Sequence, residues 1–164
     1  MKKNILLLFI TSIGIASAAI GQTDSFDVFL YQAPPLFSKS EMASEVQFNL
    51  TNKGGSFCTI ALYKSLPAKA DILKDAVSHW NEQVVKRLTA ATKKPIQTLT
   101  GKNWDGWKTA LSIGNFFRNK KKCVVMLYTF SNGNITACAV YTFSDKTYKG
   151  SIEFFSENLH LIIQ

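Results

Sequence analysis

Acidic residues are scarce in this 164-residue chain: eleven Asp and Glu stand against nineteen Lys and Arg, a formal net charge of +8. Histidine occurs twice and cysteine three times. Zinc sites draw three or four ligands from Cys, His and carboxylates at supporting spacings, and two isolated histidines with no Cys-x-x-Cys pair give no such spacing. An odd cysteine count also leaves one thiol unpaired in a monomer, so a disulfide-stapled mini-fold is excluded. No G-x-S-x-G elbow and no phosphate-cradling glycine loop occurs. No apolar run reaches the ~20 residues that span a bilayer. Disorder is excluded from the other side, because 46% of the residues are hydrophobic and twelve are Phe. A chain of this length forms one domain.

The amino terminus is an exception to the even mix of polar and apolar residues. Lys2 and Lys3 precede an apolar run from Ile5 to Ile20, and small residues follow at two cleavage-compatible sites, Ala16-Ser17-Ala18 and Ala19-Ile20-Gly21. That is the plan of a secretory signal peptide, residues 1–21, with a mature domain of residues 22–164 in the periplasm or outside the cell. Removal of Lys2 and Lys3 takes the net charge from +8 to +6. Outside the cytoplasm such a surplus points away from nucleic acid and toward an acidic protein, a lipid headgroup or a cell-wall polymer.

Within the mature chain, residues 26–31 are β-rich and run into Pro34-Pro35, where ladder donation stops. Residues 38–44 are polar. Val46, Phe48 and Leu50 alternate with polar residues as in a half-exposed strand, and residues 57–63 return after the Asn52-Lys53-Gly54-Gly55 turn, giving a hairpin. Pro67 is expected to open a long helix running to Thr89. Its apolar stripe is Ile72, Leu73, Ala76, Val77, Trp80, Val84 and Leu88, with Asp75, His79 and Glu82 on a solvated face. Residues 96–100 suggest a short strand. Three antiparallel strands follow over residues 107–118, 123–130 and 135–143, with a bulge expected at Gly114 and the Asn132-Gly133 signal of a two-residue turn. A final helix, capped by Ser144 or Asp145, carries Tyr148, Ile152, Phe155 and Leu159 on one stripe. The fold class is α+β: a mainly antiparallel sheet with helices packed on both faces.

These elements resemble the PsbP-like superfamily of extrinsic photosynthetic subunits and secreted bacterial proteins. The resemblance is carried by the extended Phe29-Leu30-Tyr31-Gln32-Ala33-Pro34 segment, the hairpin, the long helix, Gly106-Trp107, the meander and the closing helix, over residues 26–161. It implies an α/β/α sandwich and a docking or accessory role rather than catalysis. No metal, cofactor or catalytic residue of that family maps onto a motif here.

The residues that stand out for binding are Trp104, Phe116, Arg118, Lys120, Lys121 and Lys122, an aromatic and basic grouping at the ends of one strand. Cations beside aromatic rings suit a glycan or an anionic partner segment. A two-residue turn at Asn132-Gly133 places Cys138 opposite Leu127 and Cys123 opposite Thr142. Cys58 and Cys138 form a disulfide only if their strands are neighbours and their side chains share a face. The expectation is a noncatalytic binding or accessory domain without cofactor or metal. The alternative from a different class is a secreted hydrolase with a nonstandard active site.

Overall fold

The computed structural model describes residues 22–69, 71–102 and 105–162; residues 1–21, the expected leader, lie outside them. The alternating segments form two antiparallel sheets. A three-stranded sheet has the order β1 (Thr23–Phe26), β2 (Phe29–Gln32), β10 (His160–Leu161). A seven-stranded sheet has the order β3-β4-β5-β9-β8-β7-β6. Its strands are β3 (Ser38–Met42), β4 (Glu45–Thr51), β5 (Phe57–Pro67), β6 (Gln97–Lys102), β7 (Lys108–Arg118), β8 (Lys121–Ser131) and β9 (Ile135–Phe143). Helix α1 (Ile72–His79) packs against β7 and β8 on one face. Helix α2 (Lys149–Glu157) and the small sheet share a core with the other. The α+β class and the sandwich arrangement are therefore those expected. Among the described residues no helix is long and apolar enough to cross a membrane.

Alternation sorts the side chains of the large sheet onto two unlike faces. Val46, Phe48, Cys58, Ile60, Leu62, Ala137, Ala139 and Tyr141 point toward α2 and join Phe29, Tyr31, Trp107 and Phe155 in an aromatic-rich core. Its rings meet edge-on or tilted, Tyr31–Phe48 at 5.3 Å, Phe48–Phe155 at 5.3 Å and Tyr141–Phe155 at 6.2 Å. The α1 face has a smaller core of Phe57, Ala61, Tyr63, Trp80, Val84, Phe116, Val125, Leu127, Cys138 and Val140. That face also carries polar groups: Glu45, Ser112, Thr129, Ser131, Thr136 and Thr142 are all buried.

Several local expectations change. Residues 38–42 form an edge strand; its fully exposed, charged sequence carries no burial alternation by which it could be recognised. Pro67 does not open α1 but ends β5, where its missing N–H costs no ladder bond. The N-cap is Asp71, whose carboxylate accepts from the Leu73 N–H at 2.8 Å. The α-helix stops at His79 and continues as a π-helical turn over Trp80–Val85, marked by the Lys86 N–H bond to the Asn81 carbonyl. The buried face is also rotated from the expected stripe. Leu73 and Val77 are about half exposed, whereas Asp75 and His79 are 1% and 3% exposed. The reason lies beneath the helix: His79 Nε2 sits 3.1 Å from Thr136 Oγ1, and the Lys69 N–H donates to Asp75 Oδ1 at 2.8 Å. A sheet face bearing hydroxyls accepts the polar side of the helix.

Gly114 forms no bulge, since β7 pairs continuously with β8. A methyl group there would lie 2.5 Å from Thr92 Oγ1 and 2.7 Å from the Trp80 indole, so the glycine lets the indole lie on the sheet. The bulge falls instead in β5, between Tyr63 and Leu66. The β8–β9 connection is longer than two residues, with Ser131 opposite Thr136 and Cys138 opposite Thr129. The register thus moves by two places, which preserves every side chain's face. Asp145 rather than Ser144 caps the last helical segment, accepting from the Thr147 N–H at 2.9 Å, and the expected stripe from Tyr148 to Leu159 is buried.

The Cys58–Cys138 disulfide is corrected as well. Their strands are neighbours, but Cys58 faces the α2 core and Cys138 the α1 core, and all three cysteines are free and buried. Burial pushes the Cys58 thiol up to about 12, so it is unreactive at neutral pH.

Candidate functional site

Helix α1 and its π-helical extension cover only part of their sheet face. Beside them a cleft of about 620 Å³ lies over β4, β5 and β9. Its floor is the inward-facing row Gln47, Asn49, Thr59, Ala61, Val140 and Thr142. The π turn lets the chain leave the helix toward β7, and residues after it bind the far half of that strand: Phe117 N–H to the Thr89 carbonyl at 3.1 Å, Thr92 N–H to the Asn115 carbonyl at 2.9 Å. This connection brings Gln83, Arg87 and Leu88 together with Phe116, Phe117 and Arg118 as walls of the same cleft. Local π geometry at such a position is frequent at functional sites.

Each wall carries an arginine over an aromatic ring. The Arg87 guanidinium lies 4.8 Å from the Tyr63 ring centre, and that of Arg118 lies 4.1 Å from Phe57. Their charges are handled differently. Arg87 Nη1 donates to Glu45 Oε2 at 2.5 Å, and Gln47 Nε2 donates to the other Glu45 oxygen at 2.7 Å. Glu45 is 4% exposed while the Arg87 side chain stays about half open to solvent, so only the carboxylate end of the pair is desolvated. Burial disfavours the Arg87 charge, but the bonds to Glu45 and Tyr63 outweigh it and hold its pKa above the ordinary value. Burial likewise raises the Tyr63 phenol. Arg118 has no ion-pair partner among the described residues. Gln83 Oε1 is buried in the same region with no hydrogen-bond partner among the described residues.

A second depression, about 480 Å³, adjoins the first and shares Phe57 and Arg118 with it. It is lined by Gly54, Gly55, Ser56, Asn119, Lys121, Ser144 and Asp145 among others. Its loop is pinned by the Tyr148 hydroxyl donating to the Ser56 carbonyl at 2.7 Å and by the Phe57 N–H donating to Ser144 Oγ at 2.9 Å.

Of the residues singled out in the sequence, Phe116 and Arg118 line the cleft and Lys121 lines the adjoining depression. Lys120 and Lys122 are exposed on the β7–β8 hairpin. Trp104 lies outside the described residues. The hairpin turn is Asn119-Lys120, with φ of 51° and 62°. Left-handed backbone is ordinary for Asn but costs a lysine, so Lys120 occupies a place where glycine fits better. Arg87, Glu45, Tyr63 and Gln83 were not legible as a site; four positions on three elements meet only through the fold. The one available signal was the acidic Glu45 heading an otherwise apolar alternation. His79 and Asp75 lie buried beneath α1, not in the cleft. Among the described residues no cluster of three or more His, Cys, Asp or Glu side chains could hold a metal ion.

No protein-family model matches the chain. No curated protein matches it either. Solved structures do share its fold. LpqN of Mycobacterium tuberculosis, a protein involved in cell envelope biogenesis, is 13% identical, with 82% of this chain superposed on 83% of that one at a TM-score of 0.56. A Bacteroides thetaiotaomicron protein is 15% identical over 83% of this chain at a TM-score of 0.49, and this chain spans 46% of its length. PA94 of Pseudomonas aeruginosa, a protein of unknown function, is 11% identical over 71% of this chain and 89% of its own at 0.47.

Proposed function

We propose that this chain is a noncatalytic accessory domain of the PsbP-like type, exported to the periplasm or beyond, that binds an anionic macromolecular partner through the cleft and the basic hairpin beside it. The observation that carries this reading is Arg118: a guanidinium over Phe57, without a carboxylate partner among the described residues, where two depressions meet. A guanidinium over a ring keeps its in-plane N–H donors for an oxyanion. Lys120, held in left-handed backbone, adds a cation at a position where backbone energy favours glycine. The fold shared with LpqN, itself involved in cell envelope biogenesis, and the leader-like residues 1–21 support the compartment. The groups lining the cleft are amides, threonines, aromatic rings and arginines, which suit recognition.

The test separates a site from bulk charge. The mature protein is compared with Lys120→Glu/Lys121→Glu/Lys122→Glu and with a control reversing the exposed Lys74, Lys93 and Lys94, which changes net charge equally. Binding to immobilised polyglutamate, oligogalacturonate and phosphatidylglycerol vesicles is followed across a salt series. Loss of binding of about tenfold or more in the hairpin variant alone supports the reading. Equal losses in both variants reduce it to net charge and overturn it.

A further inference from the structure

We infer that the occupant of the cleft is an acidic peptide segment of a partner protein, with a side-chain carboxylate gripped by Arg118; this rests on the binding reading above and specifies its ligand class. The cleft already contains one example of the contact. Arg87 lies over Tyr63 and holds the Glu45 carboxylate, while Arg118 lies over Phe57 and holds none among the described residues. Both guanidinium–ring pairs line one cavity, so a carboxylate from outside would complete at Arg118 what the fold completes at Arg87. Such a bond is charge-assisted, and a guanidinium free of other partners can present its fork of donors to both carboxylate oxygens, which favours Arg over Lys.

Gln83 Oε1 adds a second requirement. It is a buried acceptor without a partner among the described residues, so the ligand should bring an N–H or O–H donor into the wall. A peptide backbone supplies an N–H at every residue. A glycan supplies hydroxyls, but glycan sites also present open ring faces for sugar C–H groups. Here the Phe57 and Tyr63 rings already have a cation over them, which leaves Phe117 as the exposed ring of the lining, a single platform where a sugar chain needs several. A membrane surface would engage the exposed hairpin lysines and leave Gln83 untouched in its recess. The cleft also continues past Arg118 into the depression lined by Lys121, so an extended segment has a path with a second cation along it.

The experiment is fluorescence anisotropy with short labelled peptides carrying glutamates at varied spacing in an alanine background. The matching glutamine peptides, oligogalacturonate and phosphatidylglycerol vesicles serve as comparison probes. Glutamate peptides should bind the wild type and the glutamine peptides should not. Arg118→Gln should weaken binding about tenfold or more, Arg118→Lys less, and Gln83→Met a few-fold, whereas Lys93→Gln/Lys94→Gln should stay within about twofold. Circular dichroism on each variant checks that it is folded. If oligogalacturonate binds with the same Arg118 dependence and no peptide does, the peptide assignment falls and the binding reading survives. If vesicles bind through the hairpin lysines without regard to Arg118 or Gln83, the assignment falls as well. If no anionic probe binds better than the glutamine peptides, both fall.

Discussion

The two faces of the seven-stranded sheet are built from the same strands and do different work. Toward α2 the inward row is aromatic and aliphatic, closed by a second sheet, and its rings interlock at 5.3–6.2 Å. Toward α1 the row is interrupted by Glu45, Ser112, Thr129, Ser131 and Thr136, and the helix leaves a cleft with arginines on both walls. Toward α2 the depressions are smaller, about 350 and 450 Å³ around Tyr128 where the rings of β8 meet the helix; toward α1, partial cover over polar groups leaves donors, acceptors and arginines in a cleft of about 620 Å³. Stability is therefore expected to concentrate on the first face, and the recognition proposed above on the second.

The largest effect should come from removing a ring on the closed face. Phe155, fully buried against Tyr31, Phe48 and Tyr141, should cost about 3–5 kcal/mol as Phe155→Ala, measured by urea unfolding of the mature domain. A loss under about 1 kcal/mol would mean that the ring cluster does not anchor the fold. Next comes the α1 face at its tightest point. Gly114→Ala should destabilise by about 1–3 kcal/mol, because the new methyl group meets the Trp80 indole and Thr92. Pairing it with Trp80→Leu should recover part of the loss if that collision is the cause.

A weaker handle on the same face is pH. Burial holds the His79 pKa below its ordinary 6.5, an effect reinforced by Lys69 and opposed by Asp75. The unfolded chain then binds the proton more readily, so stability at neutral pH should fall as pH drops through about 6.5 toward the folded value. Unfolding curves at pH 7.5 and 5.5 for wild type and His79→Gln check this: the variant should show a shallower pH slope, and an unchanged slope would assign the dependence to other groups.

Smaller still is the hairpin. Lys120→Gly should stabilise by about 1 kcal/mol by relieving left-handed backbone at φ 62°, while weakening anionic binding. Reversal of Lys120, Lys121 and Lys122 to Glu should move stability by under about 0.5 kcal/mol, since all three are exposed. A change as large as that at Phe155 would contradict the division between the faces.

What the sequence disclosed follows the same division. The closed face is legible because its rows alternate cleanly, as in Val46, Phe48 and Leu50, and because α2 carries the single stripe of Tyr148, Ile152, Phe155 and Leu159. Turn and ladder chemistry at 52–55 and 107–118 also reads locally. On the α1 face, periodicity misleads. Leu73 and Val77 look like core, but His79 turns inward to the Thr136 hydroxyl of β9 and Asp75 to the Lys69 N–H, contacts that apolar periodicity along the helix does not encode. Phe116 and Arg118 were found because aromatics and cations cluster at one strand end. Arg87, Glu45 and Gln83 were not, because their meeting depends on a π turn and on the pairing of β4 with β5. The Asn132-Gly133 signal fits the shortest turn, but the longer connection moves each partner by two places without changing its face.

The central claim, that recognition belongs to the α1 face alone, is tested most directly by an NMR titration of the isotopically labelled mature domain with an acidic peptide. Amide shifts at Thr59, Gln83, Arg87, Phe116 and Arg118 should saturate together, with Ile152, Phe155 and the β1–β2 pair unmoved. Saturating shifts centred on α2 and Tyr128, with the cleft residues silent, would contradict it.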